Sequence, residues 1–132
     1  MEEITQNSIP KRSEISEEFK WKLEKLYESD EQWSSDFDFI RKRSDQIKAL
    51  AGKLGESPET LYELLKLQDE LSQRMENVFV YARMRKDEDN TVARYQAASD
   101  KAQSLSVEVN SSLSFIVPEI ISIDESRIKK FL

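Results

Sequence analysis

The densest group of side chains able to do chemistry in this 132-residue chain is Asp87-Glu88-Asp89-Asn90. Neighbouring oxygen donors of this kind suit a hard cation, so a calcium loop is the first chemistry to test. Counted from Asp87, such a loop needs glycine at its sixth position and glutamate at its twelfth, where this chain has Val92 and Ala98. The segment reads instead as a solvated turn between helices. Glutamates recur at helical spacing elsewhere, but carboxylate metal bundles pair Glu with His, and the chain contains neither His nor Cys. That excludes imidazole acid–base catalysis, thiol nucleophiles, Ser-His triads, disulfides and any zinc site built on nitrogen or sulfur. Two glycines, Gly52 and Gly55, are too few for a phosphate loop. Arg83-Met84-Arg85-Lys86 is basic, yet the acids that follow it neutralise it more readily than a phosphate would. Trp21, Tyr27 and Trp33 read as a packed corner rather than a peptide platform. No catalytic, cofactor-binding or metal-ligating residue is therefore assigned to the chain.

The elements around these groups are long helices. Leu, Ile, Val and Phe are roughly a quarter of the residues, above the ~20% below which a charged chain stays unfolded. Glycine and proline together are about 4%, against a usual ~12%, so few tight turns are available. Residues 1–15 show no sustained period and form an N-terminal arm, and 16–132 form one helical domain. Ser16-Glu17-Glu18-Phe19 resembles a short capped turn, and the apolar groups Trp21, Leu23, Leu26 and Tyr27 after it must dock elsewhere. The first long helix, about 30–53, starts behind Ser29 with two first-turn acids and Gln32 at the capping-box position. Its stripe is Trp33, Phe37, Ile40, Ser44, Ile47, Ala51 and Leu54, closed by Gly52 and Gly55.

Ser57-Pro58 opens the second helix, 58–86, some 40 Å long at 1.5 Å per residue. Its stripe runs Leu61, Leu64, Leu65, Gln68, Leu71, Met75, Val78, Phe79, Ala82. After the Asp87–Thr91 turn, in which Asp89, Asn90 or Thr91 can cap, a third helix spans 91–117 with Tyr95, Ala98, Ala102, Leu105, Val109, Ser112 or Leu113, and Ile116 inward. Its alanines call for a close neighbour. Pro118 disturbs this helix at or just before Val117, and another starts near 124. The expected fold is all-α: an antiparallel up-down bundle of about three long helices with a docked N-terminal arm and a short C-terminal helix.

Twenty basic against twenty-six acidic side chains leave a net charge of −6, which disfavours nucleic acid and anionic membranes as partners. The N-terminus is acidic and polar where a secretory signal is basic and then apolar, and a cytoplasmic location is expected. Ile116, Ile120, Ile121, Ile128 and Phe131 put an apolar face at the C-terminal end, where natural tails usually turn polar. The expectation is a chain divided within a larger protein, able to self-associate through that face.

Three segments also resemble a known family. Phe19-Lys20-Trp21-Lys22-Leu23-Glu24-Lys25-Leu26-Tyr27-Glu28-Ser29-Asp30-Glu31-Gln32-Trp33 is similar to the leading segment of the oligoendopeptidase F family, zinc metallopeptidases that cleave short peptides. Tyr81-Ala82-Arg83-Met84-Arg85-Lys86-Asp87-Glu88-Asp89-Asn90-Thr91 resembles its second signature, and Phe115 with Pro118-Glu119-Ile120 fits a third. The resemblance covers only the family's N-terminal helical region. It implies a parent enzyme whose catalytic domain, absent here, holds zinc through His-Glu-x-x-His and a further Glu, with a bound water as nucleophile. It implies oligopeptide substrates, the missing catalytic domain as the chain's own partner, and a fragment that is inactive alone. From the residues by themselves, a non-enzymatic coiled-coil adaptor is the competing reading.

Overall fold

A computed structural model describes residues 8–132, and within them the chain is all-helical with no strand. Three long helices, α1 (Asp30–Lys48), α2 (Pro58–Glu88) and α3 (Ala93–Leu113), pack pairwise, and two short ones follow, α4 (Ile116–Ser122) and α5 (Glu125–Phe131). The part of the expected arm within residues 1–7 lies outside the described residues. From Ser8 onward the segment before α1 is extended chain punctuated by single 3-10 turns at Arg12–Glu14, Glu17–Phe19 and Leu23–Lys25.

The helix starts follow their caps. The Ser29 hydroxyl accepts the Gln32 amide at 3.1 Å, and Gln32 reaches back one residue further than a capping box requires, accepting the Glu28 amide at 2.7 Å. Ser57 does the same for Thr60 at 3.1 Å, with Pro58 in the first helical position, where its missing N–H costs nothing. Where the helices stop differs from expectation. The first ends at Lys48 rather than about 53, because the chain turns through Gly52 at φ +82°, a left-handed position that a side chain resists. Leu54 is fully buried from this turn rather than from a helix, and Ala51 faces solvent. The second helix runs two residues further, to Glu88.

The third helix starts at Ala93 behind Val92, which offers no side-chain cap, and it ends at Leu113 rather than 117. Pro118 then falls in the first turn of α4, where amides have no helical partner to lose, so the proline is accommodated by a break at Ser114-Phe115. Asp124 caps α5 as the helix signalled near 124, its carboxylate accepting the Ser126 amide at 3.2 Å.

Contacts across the bundle fix its sense. Asp36 meets Arg74 and Arg43 meets Glu70, so numbers rise on α1 as they fall on α2 and the two are antiparallel. Residues 89–92 then return α3 along α2. The core is Ile40 and Ile47 from α1, Leu64, Leu71 and Val78 from α2, and Leu105 from α3, each 0–1% exposed. Heptad spacing of 64, 71 and 78 keeps one seam of α2 against its neighbours. Of the C-terminal apolar face, Ile116 belongs to the core, Ile120, Ile128 and Phe131 are half-buried, and Ile121 faces solvent. That face is narrower than the sequence indicated. Among the described residues no helix is long and apolar enough to cross a membrane.

Candidate functional site

Two of the three segments singled out in sequence meet at one end of the bundle. Tyr27, from the chain before α1, stands edge-on to Tyr81 of α2 with ring centroids 5.2 Å apart. Trp33, on the first turn of α1, lies 6.4 Å from the same ring, and its indole N–H donates to the Val78 carbonyl at 3.0 Å. An indole buried this way needs that acceptor, which ties α1 to α2 at a fixed height. Trp21, expected in this corner, is 52% exposed, because the turn at Leu23–Lys25 directs Leu23 and Tyr27 inward instead.

Two carboxylates anchor the corner. The Tyr27 hydroxyl donates to Asp36 at 2.6 Å, and Arg74 approaches the other oxygen of Asp36 at 3.4 Å. Burial first, and then the bond to Asp36, push the Tyr27 hydroxyl above the ordinary phenol range, so it acts as a donor and not as a base. Glu88, with a side chain 2% exposed, takes Arg12 on one oxygen at 2.6 Å and Arg85 on the other at 3.1 Å. Arg85 also donates to the Tyr81 hydroxyl at 3.3 Å and covers the Tyr81 ring. The acid-rich segment tested for calcium is thus divided: Glu88 turns inward to the guanidinium groups, Arg83 meets Asp87 at 3.9 Å, and Asp89 folds back on Thr91. Hydrogen bonds from the Thr91 hydroxyl and then its amide hold the Asp89 carboxyl below its usual range.

Glu119 stands at the far end. Its carboxylate accepts the amides of Gly52 and Leu54, the second at 3.3 Å, and Arg127 donates to the Gly55 carbonyl at 3.0 Å. The third sequence segment therefore closes the α1–α2 turn, where a Cβ at Gly55 would lie 3.3 Å from the Ile123 side chain, a tight contact that Ile123 would have to relieve. Sequence reasoning missed Asp36 and Glu119 as partners. Asp36 had a signal, since it follows the inward Trp33 by three residues on a helix.

A groove of about 500 Å³ runs between α1 and α3 past Trp33, Phe37, Arg41 and Lys101, and a recess of about 210 Å³ continues it beside Tyr81, Arg94 and Tyr95. Its floor is aromatic, and Asp38, Asp100, Arg41 and Lys101 give it charges of both signs. Among the described residues no three His, Cys, Asp or Glu side chains converge, and a His-Glu-x-x-His zinc centre has no donors in this sequence.

Fold and corner together define a helical bundle whose corner carboxylates, Asp36 and Glu88, are each held by hydrogen-bond and guanidinium partners. Comparison with known proteins adds its relationship. The chain is 37% identical over 131 residues to "Oligopeptidase PepF" of Bacillus subtilis (strain 168), covering 99% of this chain and 20% of that protein. It is 36% identical to "Group B oligopeptidase PepB" of Streptococcus agalactiae over 92% of this chain and 20% of the relative. Against the chromosomal "Oligoendopeptidase F" of Lactococcus lactis subsp. cremoris the figures are 32%, 86% and 19%. No family profile and no solved structure matches. The chain is a homologue of part of the oligopeptidases called PepF or oligoendopeptidase F, in agreement with its three motifs, and it spans about one fifth of the length of these relatives.

Proposed function

We propose that these residues are the N-terminal lobe of a zinc metalloendopeptidase that hydrolyses oligopeptides in the cytoplasm, and that the lobe alone is inactive. The observation carrying this reading is similarity along 86–99% of the chain to proteins named oligopeptidases, in a segment without a histidine or a cysteine. The zinc donors then belong to a catalytic region outside these residues. The lobe supplies shape: a bundle pinned at both ends keeps one wall of the substrate cleft rigid, so that short flexible peptides enter and folded proteins do not.

The test compares the purified chain with the longer gene product that contains it, using an internally quenched oligopeptide. The chain should be helical by circular dichroism and show no turnover with or without zinc. The longer product should cleave the peptide and lose activity to a chelator. Zinc-dependent turnover by a contaminant-free sample of the chain, or a longer product without peptidase activity, would overturn the proposal.

A further inference from the structure

The second helix is apolar over a wider arc than its two neighbours cover. Leu64, Leu71, Val78 and Ala82 are buried against α1 and α3, while a second ridge on the same helix, Leu61, Leu65, Met75 and Phe79, is only partly covered, Leu65 being 45% exposed. Along part of this ridge the surface is a groove of about 300 Å³ between α2 and α3. Met75 and Phe79 form one wall and Val109 and Leu113 the other, with Ser72 and Asn110 among the residues lining it. A groove between antiparallel helices, apolar and lined in part by short side chains, is the shape that receives a further helix.

Charge and length indicate what fills it. One acid, Glu76, lines the groove and no basic residue does, so its complement is an apolar helix flanked by Lys or Arg. A second copy of this chain is a poor occupant, because each copy carries −6. The relatives are about five times longer than the stretch they share with this chain, and the remaining four fifths of such a polypeptide must pack on this fifth somewhere. We infer that the α2–α3 groove is the docking surface for an amphipathic helix of that remaining peptidase polypeptide, completing a four-helix layer and joining the lobe to its catalytic region. The inference rests on the lobe reading above and adds to it which face is covered, leaving the α1–α3 groove free.

The chain has no cysteine, so single probes are unambiguous. Ser72→Cys and Asn110→Cys place one thiol each at exposed positions on the groove, with little demand on folding. Maleimide labelling of the probe's own peptide is followed by mass spectrometry in the chain alone and in the longer product. Both probes should label roughly tenfold or more slowly in the longer product, since reaction there waits on local opening. Equal labelling in an active longer product would overturn the groove assignment while leaving the lobe reading standing. Protection that grows with concentration in the chain alone would overturn it in favour of a second copy. A longer product without peptidase activity would remove the occupant and the lobe reading together.

Discussion

Tyr27 and Asp36 show how a single buried pair does structural work with chemical groups. The phenol is a donor only, and its removal leaves Asp36 in the core with Arg74 at 3.4 Å as its remaining partner. Tyr27→Phe should cost about 1–2 kcal/mol, read as a lower urea midpoint with unchanged m-value. The pH dependence has a definite sign. Because the folded-state pKa of Tyr27 lies above the ordinary phenol value of 10.0, its contribution is complete below that pH. It is lost as pH rises from there toward the folded value, where the unfolded chain sheds its proton and the folded one does not. The alkaline loss of stability should therefore be shallower in Tyr27→Phe than in the parent chain, and equal slopes would contradict the assignment. At this scale the sequence was partly legible. Trp33 and Phe37 were inward by spacing, whereas Trp21 was misread because a 3-10 turn, which leaves no apolar period, rotates it outward.

The helices themselves were legible where a cap or a proline marks them, as at Ser29 and Ser57-Pro58. Their ends were not, because where the chain leaves a helix depends on what satisfies the backbone groups of the turn that follows, and that partner can be distant. Glu119 is such a partner, bonded to the Gly52 and Leu54 amides across more than sixty residues of chain. Glu119→Ala should free both amides, costing about 1–2 kcal/mol. Hydrogen exchange at Gly52 and Leu54 should quicken while amides in the middle of α2 keep their protection. Unchanged exchange at both glycine and leucine would show that the turn holds itself.

On the scale of the whole molecule, the chain before α1 is strapped to the end of α2 by the Arg12–Glu88 pair. Arg12 is 32% exposed at its side chain, and Glu88 keeps Arg85 when Arg12 is lost, so the pair adds less than about 1 kcal/mol to global stability. Its effect is local. Arg12→Ala should leave the melting temperature nearly unchanged yet speed tryptic cleavage at Lys20 and Lys22, monitored by mass spectrometry. Unaltered cleavage would show that Leu23 and Tyr27 alone hold the strap. The same scale carries the proposed lobe role, which rests on a bundle tied at both ends and grooved between α1 and α3 and between α2 and α3.

The sequence by itself determined the class of fold, three long helices and their order, and the lack of imidazole and thiol chemistry, because composition and apolar period are local properties that survive any arrangement of the chain. Its three motifs also carried the relationship to oligopeptidases. Only the tertiary structure decided that two of those motifs form one corner and the third closes the opposite end, that Glu88 faces the guanidinium groups of Arg12 and Arg85, and that the wide stripe of α2 is half used. Those depend on which residues meet across dozens of positions, and packing alone sets such meetings.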